Sequence, residues 1–281
     1  MKLSKHRICV GAAEPFRILH ISDSHLTLAD ERDGEWKMKM AESRGRWACH
    51  AEENLAEQLA YAREQNLTVL HTGDLSDFVS LQNLETAERM LDGIPYFLTP
   101  GNHEFMRYVD ANEFLAVPAY KTLSYDKVQA YYKNRLSIDN RVIGGVNFVA
   151  LDNGFYEFDG EQLARLRAEA AKGYPIVLMM HIPLYTPAYG EFMLKERHAR
   201  TAALLGTPQE ILDTYPAYDR FEQSYGPSTT EMIEYIGREP MIRCILCGHT
   251  HVSCQDALPS GIVQYTVGAG MDGFAEEIEF C

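Results

Sequence analysis

The feature that most restricts the fold is a short apolar run followed within a few residues by Asp, Asn or His. Asp74 follows one such run at 67–70, and the other four runs span 16–21, 95–99, 175–180 and 241–247. Short apolar runs bounded by turn residues predict buried β-strands. A single Gly-Asp turn after a strand is ordinary. Five strands that all end in this way predict a shared site.

Helical patterns lie between several of these predicted strands. Apolar residues recur at helical spacing over 48–62, and a second helix is predicted at about 81–91. Asp159 and Gln162 resemble a capping box, which predicts a third helix that ends near Gly173. The repeated strand–loop–helix order predicts an α/β fold whose functional loops gather at one edge of the sheet.

The polar residues after these strands form one chemical set. Imidazole and carboxylate donors without a thiolate favour Mn²⁺, Fe or Zn²⁺ over a Cys-rich structural zinc. We expect structural roles for the other five histidines, at 6, 20, 50, 71 and 198. The candidate site residues are Asp23, His25, Asp74, Asn102, His103, His181, His249 and His251.

The charge balance limits the partners. Lys and Arg total 26 against 40 Asp and Glu, which gives a formal charge of −14. A surface of that sign argues against nucleic acid, because binding its backbone needs a basic footprint. A bound metal ion would still attract a small phosphate-ester substrate, since it dominates the local field.

The hydropathy pattern argues against a membrane protein. No apolar run approaches the roughly 18 residues of a membrane span, and residues 1–13 lack the apolar segment of a signal peptide. We therefore expect a cytoplasmic protein. The length of 281 residues suits a single domain over 1–281.

Six cysteines in a chain of this length do not predict a disulfide framework. Cys244 and Cys247 have C-x-x-C spacing, but both lie in the predicted strand at 241–247. Residues three apart on a strand face opposite sides. We expect these two side chains to pack rather than to share a metal or a disulfide.

Three segments interrupt the pattern, at about 26–47, 105–140 and 183–240. The first shows no clean period and predicts a lid or a surface loop. The third contains two predicted helix starts, 207–210 and 228–231, and aromatic residues that we expect mostly in the core. We expect closing strands, in a second and more antiparallel half, at 252–255, 262–267 and 277–280.

The order D-x-H, G-D, G-N-H-E, H and G-H-x-H, from Asp23 to His251, resembles that of the calcineurin-like metallophosphoesterases. In length and layout the chain is most similar to bacterial members related to cyclic-nucleotide and glycerophosphodiester phosphodiesterases. The resemblance implies a four-layer α/β/β/α sandwich, in which the three insertions are candidates for a cap over the site.

The resemblance also implies two metal ions, of Mn, Fe or Zn, bridged by Asp74. His103 would bind the phosphoryl group or protonate the leaving group. Purple acid phosphatases have a metal-binding Tyr three residues after the bridging Asp, whereas this chain has Asp77, for which we expect a turn or supporting role. One ion would be bound by Asp23, His25, Asp74 and His251, and the other by Asp74, Asn102, His181 and His249.

Such a pair of cations, about 3.5–4 Å apart, lowers the pKa of a bridging water and orients it in line with the leaving oxygen. We expect a metal-dependent phosphohydrolase that prefers phosphodiesters. A phosphomonoesterase, a nuclease and a non-catalytic binding module on the same fold are the alternatives. The acidic charge disfavours the nuclease, and the complete ligand set disfavours the binding module. The sequence leaves a homodimer open.

Overall fold

The computed structural model describes residues 1–107 and 118–281. Its strands form two mixed sheets, built from short apolar runs as the sequence predicts. The strands are β1 (Lys2–Ile8), β2 (Phe16–Ile21), β3 (Thr68–His71), β4 (Tyr96–Leu98), β5 (Ile138–Ile143), β6 (Val146–Leu151), β7 (Ile176–Met179), β8 (Ile242–Cys247), β9 (Cys254–Ala257), β10 (Val263–Thr266) and β11 (Phe274–Phe280).

The first sheet has the order β1-β11-β2-β3-β4, and the second has the order β5-β6-β7-β8-β10-β9. Short 3₁₀ or π-helical segments occur at 31–33, 103–105, 192–196 and 270–272. The α-helices are α1 (Glu35–Trp47), α2 (Ala51–Glu64), α3 (Leu81–Leu91), α4 (Pro118–Gln129), α5 (Gly160–Ala170), α6 (Pro187–Glu191), α7 (Gln209–Leu212), α8 (Ala217–Glu222) and α9 (Pro227–Arg238).

Three apolar cores separate four layers. One core packs α2 and α3 on the outer face of the first sheet, through side chains such as Leu59 and Leu84. A second lies between the sheets, where Ile18 and Phe148 are fully buried. A third packs α5 and α9 on the outer face of the second sheet. The predicted α/β/β/α sandwich is therefore confirmed.

Parallel pairing brings the polar loops together. In the first sheet β2, β3 and β4 run parallel to one another. In the second sheet β6, β7 and β8 do the same. The carboxyl ends of these strands carry the predicted site residues, as is usual for ligand sites of open α/β sheets.

Several local predictions are confirmed. Asp159 and Gln162 form a complete capping box at the start of α5. Cys244 packs between the sheets, whereas Cys247 packs on the outer face of the second sheet. Both thiols are buried and unbridged, as their opposite directions require.

Three predictions about the helices need correction. Residues 35–47 are helical, whereas the sequence predicted a lid or a loop over 26–47. The pattern was misleading because Met40 is the helix's only buried residue, so α1 has no apolar stripe. The helix starts are also shifted. Pro208 and Gly226 are the N-caps of α7 and α9, in place of Thr207 and Ser228.

The terminal strands were also predicted incorrectly. No strand was predicted at residues 2–8, yet β1 pairs in parallel with β11 along its whole length. Strand β11 pairs antiparallel with β2 and therefore belongs to the first sheet, not to the half formed by β9 and β10. Sequence patterns show that a segment is a strand but do not show its partner.

One disulfide joins Cys9 to Cys281, which lie just beyond β1 and β11. The sequence predicted no disulfide framework, and this pair was missed because 272 residues separate its members. Disulfides are rare in a reducing cytosol, so this bond weighs against the predicted cytoplasmic location.

The predicted insertions are only partly described. Residues 108–117, within the segment 105–140, lie outside the described residues. The segment 183–240 contains a small core that includes Tyr189 and Tyr215, as expected for most of its aromatic residues. Within the described ranges, no helix is both long and apolar enough to span a membrane.

Glu277, on the outer face of β11, is 5% exposed and is the most heavily bonded carboxylate at this edge of the sheet. It lies 2.8 Å from an Arg17 nitrogen and 3.1 Å from the Lys5 ammonium, and the Tyr61 hydroxyl also donates to it. Burial alone would raise the pKa of Glu277, but these three donors lower it to about 2.

We expect Glu277→Gln to lower the free energy of unfolding at pH 7 by about 1–2 kcal/mol. This range is smaller than the pKa shift alone implies, because solvent screens the exposed Lys5 and Arg17. Because the folded-state pKa lies below the ordinary value of 4.5, the carboxylate stabilises the fold above pH 4.5. That stabilisation is lost as the pH falls from 4.5 towards 2. Urea unfolding of the wild type and of Glu277→Gln should therefore show a difference in the free energy of unfolding at pH 7 that becomes smaller at about pH 3.

The matched control is Glu279→Gln on the same strand, where the carboxylate is 41% exposed and forms an ion pair, among the described residues, with Arg7 alone. An exposed ion pair contributes little, so we expect little change from it. An equal gap between wild type and Glu277→Gln at both pH values would contradict the prediction.

Candidate metal centre

Backbone hydrogen bonds hold the polar loops of the two sheets against one another. The amide of Asp23 donates to the carbonyl of Gly73 over 2.9 Å, within the first sheet. The amide of Gly248 donates to the carbonyl of His181 over 3.0 Å, within the second. The amide of His249 then crosses between the sheets to a carboxylate oxygen of Asp23, 3.0 Å away. The loops therefore form one rigid cluster.

One group of possible metal ligands comprises Asp23, His25 and His251. The Nε2 atoms of the two imidazoles are 3.1 Å apart. Asp23 Oδ1 lies 3.2 Å from His251 Nε2 and 3.9 Å from His25 Nε2. Three donor atoms thus converge on one point from the loops after β2 and β8.

A second group comprises Asp74, His181 and His249. His181 Nε2 lies 3.1 Å from Asp74 Oδ2 and 3.1 Å from His249 Nδ1. The same Asp74 oxygen is 3.8 Å from His25 Nε2 in the first group. Asp74 is therefore the residue that lies between the two groups.

Asn102 and His103 reach the centre from the loop after β4. The amide oxygen of Asn102 is buried and has no hydrogen-bond partner within residues 1–107 and 118–281. The backbone amide of His103 donates to Asp74 Oδ1 over 2.9 Å. His103 also forms a third ligand group with His25 and Asp74. All eight predicted site residues therefore lie at the meeting point of the loops.

Hydrogen bonds behind two of the rings select which nitrogen faces the centre. The Nδ1 atom of His181 lies 2.8 Å from the carbonyl oxygen of Thr72, which can only accept, so this nitrogen carries the proton. The Nδ1 atom of His25 lies 3.0 Å from the Asp77 carboxylate. Both rings therefore present Nε2 to the centre, as metal-ligating imidazoles do when a neighbouring group fixes the tautomer.

The two central carboxylates require positive charge. Asp23 and Asp74 are 0% and 2% exposed, and their ion pairs among the described residues involve only histidines. Burial would raise the pKa of Asp74, but positive charge on His181 and His103 holds it well below its usual range. Burial likewise opposes charge on His181, yet Asp74 raises the pKa of that ring to about 9. Protons on the rings thus supply charge that a cation would otherwise supply.

The residues fit a pair of metal ions by three observations. Asp74 belongs to one donor group and lies 3.8 Å from His25 of the other, two pairs of imidazole nitrogens approach to 3.1 Å, and a buried amide oxygen has no partner among the described residues. Buried polar atoms without partners are rare and call for a ligand. The mixed nitrogen and oxygen donor set, without thiolate, suits Mn²⁺, Fe or Zn²⁺.

Residues 16–253 match the calcineurin-like phosphoesterase family. The chain belongs to this family. The matched range contains every loop that forms the centre, from Asp23 to His251. No curated protein matches the chain.

Solved structures with this fold are distant in sequence. A dimetal phosphatase from Danio rerio is 15% identical, with 92% of this chain and 89% of that chain covered and a TM-score of 0.53. The phosphopantetheinyl hydrolase from Mycobacterium tuberculosis is 12% identical, with coverages of 94% and 90% and a TM-score of 0.44. The 5′-nucleotidase from Candida albicans is 14% identical, with coverages of 96% and 48% and a TM-score of 0.42. The first of these similarities supports the shared fold.

Asp77 supports the centre from behind, as expected for the residue that replaces the Tyr of purple acid phosphatases. Its carboxylate contacts His25 Nδ1 at 3.0 Å and His103 Nδ1 at 3.2 Å. Arg44 of α1 donates to both Asp77 oxygens, over 2.7 and 2.8 Å. One ion pair therefore orients two site histidines. Arg44 was not predicted, because only the folded structure brings α1 beside Asp77.

Glu104, the last residue of G-N-H-E, was also missed. Its buried carboxylate accepts backbone hydrogen bonds from Gly101, Asp74, Leu75 and Ser76, over 2.6 to 3.1 Å. Burial and the charge of Asp74 raise the pKa of Glu104 to about 7. The G-N-H-E motif could have indicated this role, since a Glu three residues after a Gly can accept hydrogen bonds from the turn that contains the Gly.

Tyr156 is a third residue that sequence analysis did not identify. Its buried hydroxyl lies 2.9 Å from His249 Nε2, opposite the nitrogen that faces His181. Asn153 on the same loop accepts the amide of His181 over 3.0 Å. The loop after β6 therefore positions two site histidines without contributing a ligand.

The site glycines are required by close packing. A Cβ on Gly101 would lie 2.1 Å from Asp74 Oδ1 and 2.7 Å from the Asp74 backbone nitrogen. A Cβ on Gly248 would lie 1.8 Å from Ser22 Oγ and 2.5 Å from Asp23 Oδ2. The glycines in G-N-H-E and G-H-x-H therefore let two loops approach the carboxylates directly.

We expect Gly101→Ala to displace the Asp74 carboxylate and to lower turnover about 100-fold, because misplacement by about 1 Å is enough for such a loss. Bound metal, measured by mass spectrometry, should fall in parallel while the circular dichroism spectrum is retained. Gly160→Ala is the matched control, since its Cβ would meet nothing within 4 Å. Full metal content and turnover in Gly101→Ala would contradict the prediction.

Proposed function

We propose that the chain is a dinuclear-metal-dependent phosphoric ester hydrolase that prefers phosphodiesters. The observation that carries the proposal is the position of Asp74, whose carboxylate lies between two groups of ligands. The family match and the unpartnered amide oxygen of Asn102 support it.

The ligands would divide as the resemblance implies. Bound metal ions would supply positive charge that attracts the phosphate ester and activates water for attack on phosphorus. The residues that we assign to one ion are Asp23, His25, Asp74 and His251, and those that we assign to the other are Asp74, Asn102, His181 and His249.

His103 is the residue that we assign to the phosphoryl group or the leaving oxygen. Its Nδ1 atom contacts both the carbonyl and the carboxylate of Asp77, at 2.7 and 3.2 Å, so Asp77 does not occupy Nε2. Burial works against charge on this ring, but Asp74 and Asp77 raise its pKa to about 9. A ring held in this way is suited to donate a proton or hydrogen bond to an anionic oxygen.

Part of the segment 26–47 lies at the rim of the site. Trp47 is 45% exposed, and its ring lies 5.1 Å from that of His25 and 6.0 Å from that of His251. The Arg44 guanidinium packs over the same indole at 4.1 Å. We propose that α1 forms one wall of the substrate entrance, which would be the role of this insertion.

The diester preference rests on the layout of the motifs, which resembles that of cyclic-nucleotide and glycerophosphodiester phosphodiesterases. A phosphomonoesterase remains the alternative, because the same dinuclear centre serves both reactions. A substrate of small size is favoured over nucleic acid by the formal charge of −14.

We expect Mn²⁺-reconstituted protein to hydrolyse bis-p-nitrophenyl phosphate faster than p-nitrophenyl phosphate, measured by release of p-nitrophenol. A faster rate on the monoester would make the protein a phosphatase. No turnover of either ester with two metals bound would contradict the hydrolase proposal. It would favour a binding role.

We expect Asp74→Asn to lose both metal ions and to lower kcat/KM at least about 1,000-fold, because several kcal/mol of transition-state stabilisation depend on the pair. His251→Gln, which changes a ligand of one group only, should retain one ion. Asp213→Asn, at a side chain that is 59% exposed, is the matched control. An Asp74→Asn protein with two metals and full turnover would refute the bridging assignment.

A further inference from the structure

A cavity separate from the metal centre lies between the two sheets, at the edge formed by β1 and β9. Its volume is about 470 Å³, within the range of small-molecule sites. The first sheet lines it with Lys2, His6, Phe274 and Glu276, and the second sheet lines it with residues that include Tyr265. No residue of the metal centre lines this cavity.

Glu276 places an unusual charge on the inner face of the first sheet. The residue is 5% exposed, and none of the described residues donates a hydrogen bond to its carboxylate. The basic side chains of the described residues within 4 Å of it are two imidazoles, with His6 Nε2 at 3.5 Å and His20 Nδ1 at 3.8 Å. Both distances exceed those of normal hydrogen bonds. A buried carboxylate in this state is costly unless a donor reaches it.

His20 provides an independent sign of a missing partner. It lies directly opposite Glu276 in the β2–β11 register and is completely buried. Its Nε2 atom forms a hydrogen bond with Thr72 Oγ1 at 2.9 Å, but its Nδ1 atom has none with any residue that the structure describes. A buried nitrogen and a buried carboxylate thus face each other without satisfying one another.

A metal ion does not explain this arrangement. The described residues form three groups whose donor atoms converge, and all three belong to the centre around Asp74. His6, His20 and Glu276 are not among them. The Glu276 carboxylate lines the cavity and can accept hydrogen bonds from an ammonium group that enters it.

Lys2 places the opposite charge at the other end of the cavity. It pairs in register with Phe274, two residues before Glu276, and its ammonium lies over the Phe274 ring at 4.4 Å. No carboxylate of the described residues forms an ion pair with it. Two residues along a strand and one strand across place the Cα atoms of Lys2 and Glu276 about 8 Å apart.

We propose that this cavity binds a free amino acid. The ammonium group would bind Glu276, the carboxylate would bind Lys2, and the side chain would pack on Phe274 and Tyr265. A zwitterion can contact both side chains at once, with a hydrogen bond of about 2.9 Å at each end. A purely anionic ligand would leave Glu276 unsatisfied, and a purely cationic one would leave Lys2 unpaired.

The test is calorimetric titration of the metal-loaded full chain with each standard amino acid. With L-phenylalanine as the reference probe, L-phenylalaninamide lacks the negative charge and N-acetyl-L-phenylalanine lacks the positive one. We expect at least one amino acid to bind, and removal of either of its charges to weaken binding about tenfold or more. No binding by any amino acid at 10 mM, or equal binding of the neutralised analogues, would overturn the proposal.

Two variants test which side chain binds each charged group of the amino acid. Glu276→Gln should weaken binding of the amino acid about tenfold or more. Lys2→Met should weaken binding of the amino acid but not binding of its amide. Glu279→Gln, on the outer face of the same strand, is the matched control. All variants should retain hydrolysis of bis-p-nitrophenyl phosphate and their melting behaviour. Since Lys2 is exposed, its variant tests the proposal even if Glu276→Gln does not fold. Unchanged binding in both variants would refute it.

Discussion

The structure depends on two buried carboxylates, Asp23 and Asp74, that are surrounded by imidazoles instead of by Lys or Arg. Ionised carboxylates away from water are stable only with compensating charge and hydrogen bonds. Loops from both sheets meet around them, and the amides of His103 and His249 point at their oxygens. The sandwich places these loops together by aligning the carboxyl ends of parallel strands from both sheets.

The backbone of the centre shows why Asp and His occupy it. Nine described residues other than glycine have a positive φ, and five of them are proposed ligands, with φ from 46° to 69°. This left-handed region is disfavoured for most residues, but Asp and His tolerate it several-fold better than others. The residue types that bind metals therefore also suit the sharp turns that bring them there. The five are Asp23, His25, Asp74, His249 and His251.

Much of the fold and the ligand set was predictable because both are local in sequence. Short apolar runs showed the strands, and each proposed ligand follows its strand within a few residues. The supporting residues were not predictable, because Arg44 and Tyr156 act through partners 33 and 93 positions away. Strand pairing was equally hidden, since β11 enters the first sheet across the length of the chain. Helix α1 was not predicted, because a helix with one buried residue has no apolar residues that recur at helical spacing.

The bond between Cys9 and Cys281 closes residues 9–281 into a covalent ring. Closure of so long a loop restricts the unfolded chain and thereby favours the native state. It also changes the effect of a backbone cleavage. A single cleavage at an exposed loop between these cysteines opens the ring without separating two fragments. A nicked molecule therefore keeps the mass of the intact chain, plus one water, until its disulfide is reduced.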